Sequence, residues 1–453
     1  MRAFFTAIAP VVPVALALCT WAAATSAQAQ SLLHMVESAT GYDAAWRAAS
    51  AAQQAAQHRS AQARAPLLPQ VGVGAELARG HTRLHPPGAS HAGAQAQWAL
   101  QASQTLYRPA QKITFAQSQL AARQAAHQLD AAAQELIVRI AQAYFNALAA
   151  QDALRFVQAQ KAAVQEQLAA AERNFEVGNA TITDTREAQA RFDLIRAQEI
   201  AAANDWQVKK LALAQAAGLH QARPWPLREP VQLPALEPRE AHAWLEQALA
   251  HQPHIQQARL GLEMARLETE KARAGHQPTV DLKASVTGSH TPDGSAIAPH
   301  LRRSQQAQVG VALNLPLFAG FAVQSRVQES LALQEQARAQ LDGARRHSEQ
   351  AVREAFYGLQ SGLSQVQALQ AAEASSLSAL EANQLGYQVG VRINIDVLNA
   401  QSQLFQTRRE LAQARYQVLM GHLRLAQASG LLDWQALRRI NALLAEPDSP
   451  HHD

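Results

Sequence analysis

The chain contains one sequence pattern twice, and this internal repeat constrains the fold more than any other feature. Residues 175–219 align without a gap on residues 387–431, at an offset of 212, with 14 identical positions. A glycine pair at fixed spacing, Gly178 and Gly390, is among the identities, and an Ala- and Gln-rich composition does not produce it by chance. The repeat predicts two copies of one structural unit. Each copy is expected to run helix, strand pair, long helix, short helix.

The first 29 residues stand outside this repeat. Arg2 precedes an apolar run, and the segment 27–29 (Ala-Gln-Ala) has the small-x-small pattern of a cleavage site. This arrangement is typical of a secretory signal peptide over residues 1–29. A membrane-spanning helix is the alternative, and the prolines at 10 and 13 disfavour it. Cleavage removes Cys19, the only cysteine, which suits an oxidising compartment.

Four segments alternate apolar and polar residues with the period of a half-buried strand. Each is about ten residues long, the length of a tilted transmembrane strand. The apolar sets run from Val71 to Leu77, from Trp98 to Leu106, from Val280 to Val286 and from Val309 to Leu317. They predict two amphipathic β-hairpins, over residues 69–107 and 278–318. Hairpins on a soluble domain are the alternative.

The connections inside the hairpins favour a membrane. Residues 80–93 and 288–303 are rich in His, Pro, Gly and Ser, and Tyr107, Phe318 and Phe321 follow the strands. Outer-membrane barrels have long exterior loops and aromatic belts at the interfaces. Ordinary core aromatics are the alternative. Four strands cannot close a barrel, and an open edge in lipid leaves backbone groups unpaired. Several chains must therefore share one barrel, and three chains give twelve strands.

Long segments without helix-ending residues follow the hairpins. Residues 109–177 contain no internal proline or glycine, and residues 322–389 contain glycines but no proline. At 1.5 Å per residue each helix is expected to reach about 100 Å. Two shorter helices placed end to end match one long helix. The shorter helices are predicted over residues 31–65, 184–217, 238–274 and 396–429, within repeats 30–230 and 231–447, before a disordered tail at 448–453.

The last short helix carries two apolar seams. The first alternates steps of three and four, is interrupted at Arg409, and contains Ile395, Leu398, Ser402, Phe405, Ala412, Tyr416, Leu419, Leu423 and Ala426. The second repeats every seven residues through Val397, Leu404, Leu411, Val418 and Leu425. Two seams predict two helical neighbours, as in a closed palisade of coiled coils. A helix buried in a conventional bundle is the alternative.

Composition argues against several function classes. The net charge is +4 with acids and bases interspersed, so no basic field predicts nucleic-acid binding. The chain lacks a Ser/His/Asp order, a glycine-rich phosphate loop and a His-Glu-x-x-His run, so we expect neither an enzyme nor a cofactor. The segment 451–453 (His-His-Asp) is interpreted as part of the tail and not as a metal site.

Short motifs along the chain resemble the TolC family of outer-membrane channels. They lie at 65–74 (APLLPQVGVG), 143–146 (AYFN), 174–178 (NFEVG), 182–184 (ITD), 315–320 (LPLFAG), 387–392 (YQVGVR) and 396–398 (DVL). The resemblance covers about residues 31–447. It implies an α+β membrane protein: a homotrimeric channel-tunnel with a twelve-stranded β-barrel, four strands from each chain, continued by a long α-helical coiled-coil barrel.

The resemblance also implies a function. Family members are passive exit ducts of the Gram-negative outer membrane that extend into the periplasm. The implied partners are two further copies of the chain, outer-membrane lipid, a periplasmic adaptor (membrane fusion protein), and an inner-membrane ABC or RND transporter. The cargo is a secreted protein, as in type I secretion, or drugs, as in multidrug efflux. From a different class, the rival is a periplasmic coiled-coil structural or adaptor protein, which two hairpins and four amphipathic strands disfavour.

The expected gate lies at the tips between long and short helices. Gly178 and Gly390 mark the two turns, where glycine supplies a left-handed termination. By resemblance, Tyr387 and Arg392 at the second tip bond to Thr183 and Asp184 at the first and hold the entrance shut. Asp184 and Asp396 are also expected to cap the short helices.

By the same resemblance, the pore constriction is expected at Asp396, where the family carries an acidic residue. Three copies form a ring of negative charge that favours cations. The family carries a second aspartate where this chain has Asn399, so the ring is expected to hold about three charges and to be less selective. Phe321 is a second departure, because the family often has glycine there, and it puts the local turn in doubt.

Overall fold

A computed structural model describes residues 30–83, 90–178, 180–292, 300 and 302–445. The predicted signal peptide and tail, and the centres of the two predicted loops, lie outside the described residues. The helices are α1 (Leu32–Tyr42), α2 (Ala44–Arg64), α3 (Pro109–Glu176), α4 (Ile182–Ala217), α5 (Ala241–His251), α6 (Pro253–Arg273), α7 (Ala322–Gln388), α8 (Asn394–Ala428) and α9 (Trp434–Asn441). The strands are β1 (Gln70–Arg83), β2 (Ser90–Tyr107), β3 (Thr279–His290) and β4 (Arg303–Asn314).

The four strands form one antiparallel sheet in the order β1-β2-β3-β4. Its register places apolar residues side by side on one face, as in the row Val73, Leu100 and Val286. Much of this face is exposed in the single chain: Val73 is 79% exposed and Leu77 is 87% exposed. The outer edges of β1 and β4 pair with no other described strand. The four amphipathic strands predicted from the period of two are confirmed, and they form an incomplete sheet with an uncovered apolar face.

One predicted strand is shorter than expected. We predicted alternation through Leu317, but β4 ends at Asn314. Pro316 has no N–H group to donate, so the ladder cannot continue past it although Leu315 and Leu317 keep the period. At the other end the strands reach further than expected, because β3 extends to His290 into the predicted loop.

The chain turns from β4 into α7 through two left-handed residues. Gly320 has φ +57° and Phe321 has φ +64°. The left-handed region costs a non-glycine residue about 1–2 kcal/mol. The ring of Phe321 packs edge-on against Phe318, with ring centroids 5.6 Å apart. The turn that Phe321 put in doubt is therefore formed, with this aromatic contact beside the strained residue.

A partly buried ion pair joins the sheet to the helices. Arg108, the residue before α3, donates from Nη2 to Oδ2 of Asp281 on β3 at 2.6 Å. The Asp281 side chain is largely buried, so its charge requires this partner. The contact links the residue before α3 directly to strand β3.

The two long helices, α3 and α7, have 68 and 67 residues, about 100 Å each. The short helices pack along them: α2 and α4 on α3, and α6 and α8 on α7. The continuous helices and end-to-end pairs of shorter helices predicted from the sequence are thus present. Within the described ranges, none of the helices is both long and apolar enough to cross a lipid bilayer.

The two seams of α8 face two different helices. On the first seam, Tyr416 stacks on Phe145 of α3 with ring centroids 5.9 Å apart. On the second, Leu411 and Val418 share a core with Phe356 of α7. The prediction of two neighbours for this helix is confirmed, and α8 lies between α3 and α7.

Two of the predicted shorter helices are interrupted. The helix predicted over 31–65 breaks at Asp43, where the backbone is extended. The Asp43 carboxylate caps α2 by accepting a hydrogen bond from the Trp46 N–H at 2.8 Å. The helix predicted over 238–274 begins only at Ala241 and breaks at Gln252, because the residue before Pro253 is driven out of the helical region.

The largest core lies near the middle of α3, where α1, α9 and the ends of α4 and α8 meet. Leu32, Leu213 and Leu437 are fully buried there. Each contributes about 1.5–3 kcal/mol to folding through burial. Helix α9 was not predicted from the sequence. Its amphipathic turn, capped by Asp433, closes this core.

A buried carboxyl lies beside this core. Tyr416 donates its hydroxyl to Oδ2 of Asp152 at 2.6 Å, and Arg155 lies 3.2 Å from the other carboxyl oxygen. Burial raises the pKa of Asp152 above its usual value, although the Tyr416 hydrogen bond and the Arg155 charge act against this shift. Desolvation and the Asp152 charge raise the pKa of Tyr416 as well, so the phenol remains the donor.

Candidate functional site at the two helical tips

The first tip, between α3 and α4, is closed by its own residues. Gly178 has φ +77°, so it takes the left-handed conformation that ends α3. Thr181 caps α4: its Oγ1 accepts the Asp184 N–H at 3.3 Å, and Oδ2 of Asp184 accepts the Thr181 N–H at 2.9 Å. This is a reciprocal capping box. The expectation that Asp184 is itself the N-cap is wrong, because the preceding Ile182 and Thr183 are already helical.

The second tip, between α7 and α8, lacks such a cap. Gly390 has φ +78°, and Gly386 accepts hydrogen bonds from the N–H groups of the turn. Helix α8 begins after Ile393, whose side chain makes no capping hydrogen bond. Asp396 lies in the first turn and not at the N-cap, so the expectation for Asp396 is also wrong. Because Asp396 lies near the N-terminus of α8, its negative charge still interacts favourably with the helix dipole.

Asn394 connects the second tip to the first. It is fully buried, accepts the Gln167 amide of α3 at 2.7 Å, and donates to the backbone oxygen of Asp184 at 3.4 Å. Sequence reasoning missed this residue. The signal was in the repeat: the polar Asn394 stands where the first copy has Ile182. A single side chain therefore joins the second tip to both helices of the first.

Two of the predicted gate residues contact groups other than those expected. The hydroxyl of Tyr387 accepts the Asn174 amide of α3 at 3.3 Å. Arg392 lies 3.6 Å from the carboxylate of Asp396, one turn further along. Among the described residues of this single chain, no hydrogen bond or ion pair joins Tyr387 or Arg392 to Thr183 or Asp184. The structure brings the four side chains to the same end of the molecule.

The two predicted constriction residues lie on one face of α8. Asn399 is exposed, and its Oδ1 accepts Nη2 of Arg191 on α4 at 2.9 Å. Asp396 keeps 34% of its side chain exposed beside Arg392. This chain therefore has one carboxylate here, and arginines contact both positions. Among the described residues, no group of three or more His, Cys, Asp or Glu side chains is arranged to hold a metal ion.

Known proteins share this repeated architecture. The model of the outer membrane efflux protein family matches residues 36–219 and again residues 244–431, which correspond to the two copies of the repeat. The chain is 31% identical over 439 residues to the outer membrane protein TolC of Escherichia coli (strain K12), covering 93% of this chain and 86% of that protein. The resemblance to the TolC family is therefore confirmed.

Two further proteins support membership of this family. The alkaline protease secretion protein AprF of Pseudomonas aeruginosa is 33% identical over 319 residues, which are 70% of this chain and 66% of that protein. The solved structure of the outer membrane protein VceC from Vibrio cholerae superposes with a TM-score of 0.75 at 20% identity, over 88% of this chain and 96% of that chain. The chain belongs to the outer membrane efflux protein family, whose members are channels of the Gram-negative outer membrane.

Proposed function

We propose that this chain is the outer-membrane exit duct of a tripartite export machine. One observation carries the proposal: the same chain bears an open sheet with an apolar face and helices about 100 Å long that end in two tips. The sheet fits a barrel in lipid, and the helices reach toward an inner-membrane transporter. The duct is passive, because energy comes from that transporter, and the chain performs no catalysis of its own.

The duct is a homotrimer. Each chain supplies four strands and leaves both sheet edges unpaired among its described strands. Unpaired backbone groups are costly in lipid, so the edges must pair with neighbouring chains. Three chains give a closed barrel of twelve strands, and their apolar faces meet the outer-membrane lipid.

The tips form the gate. In the closed trimer, Tyr387 and Arg392 of the second tip are proposed to bond to Thr183 and Asp184 of the first. Arg392 has 58% of its side chain exposed, so it can exchange Asp396 for another carboxylate. Charge-assisted bonds of this kind give way when an adaptor offers competing groups. Docking of a periplasmic adaptor and an ABC or RND transporter then opens the entrance.

The proposed cargo includes secreted proteins. AprF and the protein PrtF of Dickeya chrysanthemi are named for protease secretion, whereas BepC of Brucella suis is named as an efflux protein. The duct therefore suits type I secretion, multidrug efflux or both. The rival function, a periplasmic adaptor built from coiled-coil hairpins, does not account for the uncovered apolar face of the sheet.

Conductance in planar lipid bilayers tests the duct and its gate together. The wild-type trimer is expected to conduct weakly, since a narrow entrance dominates the resistance of a long tube. Replacing Tyr387 with Phe and Arg392 with Ser removes the proposed lock, and conductance is expected to rise several-fold. Arg346→Ser, on an exposed position of α7 away from the tips, is the matched control and leaves conductance unchanged.

Two outcomes contradict the proposal in different ways. Failure of the wild type and the double variant to conduct at all argues against a duct. Wild-type conductance in a double variant whose trimer is intact means that other residues hold the entrance closed.

A further inference from the structure

A small cavity lies between α3, α4 and α8, just beyond the constriction residues. Its volume is about 200 Å³. It is lined by Phe156, Val157, Gln160, Arg191, Leu194, Ile195, Gln198, Ser402, Phe405, Gln406 and Arg409. Asn399, Ser402, Gln406 and Arg409 follow one another at steps of three and four, so one face of α8 carries both the constriction and the cavity. Arg409 lies about 15 Å along the helix from Asn399.

The charge of this cavity is positive. Its described lining contains two guanidinium groups, from Arg191 and Arg409, and no carboxylate. Arg191 donates to Asn399 at 2.9 Å. Arg409 is exposed and makes no hydrogen bond or ion pair with any described residue. It is also the residue that interrupts the first apolar seam of α8. Gln406, which lines the cavity, donates from its amide to the carboxylate of Glu410 at 2.9 Å, and Glu410 itself is not part of the lining.

The neighbouring arginines are already neutralised. Arg155 pairs with Asp152 at 3.2 Å, and Arg408 pairs with Glu373 at 2.9 Å. The contrast matters because a paired guanidinium offers little net charge to a ligand. The net positive charge at the cavity therefore comes from Arg191 and Arg409.

The walls of the cavity are aromatic. The rings of Phe156 and Phe405 line it, and each has an arginine beside it: the guanidinium carbon of Arg155 is 5.2 Å from the first ring centroid, and that of Arg408 is 5.9 Å from the second. These cation–π contacts hold the rings in place. A cavity of about 150 Å³ accommodates benzene, so about 200 Å³ has room for an aromatic ring with a small head group.

We propose that this cavity is a binding site for small aromatic anions, with the ring between Phe156 and Phe405 and a sulfonate or carboxylate on Arg409 and Arg191. A planar guanidinium matches both head groups, since it can donate two parallel hydrogen bonds. As a statement about cargo, the inference rests on the proposed duct. It means that an anion that has passed Asp396 meets a positive site immediately inside the entrance.

Binding is tested by isothermal titration calorimetry with benzenesulfonate, which has one ring and one anionic head group. The full chain is used in a non-ionic detergent, and a titration into detergent alone is subtracted. Wild type is expected to show saturable binding with one site per chain. Arg409→Gln is expected to raise the Kd about tenfold, which is the loss of affinity expected for one hydrogen bond between charged groups. Arg409→Lys keeps the charge and loses less. Arg346→Gln, an exposed arginine outside the cavity, binds as wild type.

The neutral one-ring analogue benzyl alcohol is expected to show no saturable binding. Equal binding of this analogue, or an unchanged Kd in Arg409→Gln, overturns the proposed site. Because calorimetry does not need a conducting channel, conductance of the same samples separates the two proposals. A chain that binds the anion without conducting contradicts the duct alone, and a chain that conducts without binding contradicts the anion site alone.

Discussion

Two neighbouring substitutions between the repeats, Thr181 against Ile393 and Ile182 against Asn394, make the two tips unequal. The first tip has Thr181 and a reciprocal capping box, whereas the second has Ile393 and no side-chain cap. The buried amide of Asn394 instead binds Gln167 and the backbone of Asp184. An N-cap contributes about 1 kcal/mol to a helix. The second tip lacks that contribution and depends on contacts with the first, so it is the tip expected to move.

The predicted constriction at Asp396 leads to a prediction about charge. Asp396→Ala removes the carboxylate of each chain, so we expect a several-fold lower preference for cations and weaker block by multivalent cations. Asn399→Ala removes no charge and is expected to change little, which makes it the matched control. Reversal potentials in planar bilayers under a salt gradient measure both. Equal effects from the two variants mean that the constriction lies elsewhere.

The buried Asp152 yields a prediction about pH. Its pKa is raised in the folded chain, chiefly by burial, so the folded state keeps this proton to higher pH than the unfolded state. Stability therefore falls as the pH rises from the unfolded value, about 3.9, through the raised folded value. Asp152→Asn keeps an oxygen for Tyr416 but cannot titrate.

Thermal unfolding followed by circular dichroism from pH 4 to pH 7 measures this effect. The variant is expected to lose less stability across the range than wild type. Tyr416→Phe removes the donor that stabilises the carboxylate, and is expected to steepen the dependence. The same slope in wild type and Asp152→Asn contradicts the assignment to this carboxyl.

At the scale of the elements, α4 and α8 are each followed by a glycine that lies against the break between two other helices. Gly218 and Gly430 have φ +69° and +74°. A Cβ on Gly218 lies 2.5 Å from the ring of Tyr42, at the break between α1 and α2. A Cβ on Gly430 lies 2.6 Å from the backbone nitrogen of Gln252, at the break between α5 and α6.

These contacts predict a cost at both glycines. Gly218→Ala and Gly430→Ala are each expected to lower the unfolding free energy by more than the left-handed region alone costs, about 1–2 kcal/mol, because neither the Tyr42 Cβ nor the Gln252 backbone can rotate away. Gly343→Ala inside α7, where nothing lies within 4 Å, is the control and stabilises by about 0.5–1 kcal/mol. Thermal melts in detergent compare the three variants, and a Gly218→Ala or Gly430→Ala protein as stable as the control contradicts the close contact.

The sequence predicted elements better than their ends. The four strands followed from a period of two and the two long helices from long segments without proline, whereas the end of β4 at Asn314 and the break at Asp43 were not predicted. The alternation continues past Asn314 to Leu317, so it did not mark the end of the strand. The end depends on a missing N–H group at Pro316, and the break on a capping carboxylate. Asn394 was missed for another reason: its partners lie on other helices, and their positions exist only in the folded chain.

At the scale of the whole molecule, the open sheet predicts the assembly. A chain with two unpaired sheet edges and an uncovered apolar face is expected to be an obligate trimer. Chemical cross-linking in mild detergent should give three chains, and unboiled samples should migrate as a trimer that heat converts to single chains. A folded, stable monomer or a dimer contradicts the shared barrel.

The two junctions at Gly218 and Gly430 also have a mechanical consequence. Two unbroken helices, α3 and α7, run the length of the wall, while their companions are divided where these glycines touch the next helix. The backbones of these companions are interrupted at the junctions, so we expect axial load to pass through α3 and α7. At the first junction the end of α4 packs against α1 in the largest core. In the proposed duct, we therefore expect side-chain packing, and not a continuous helix, to connect each short helix of the tips to the helices nearer the sheet.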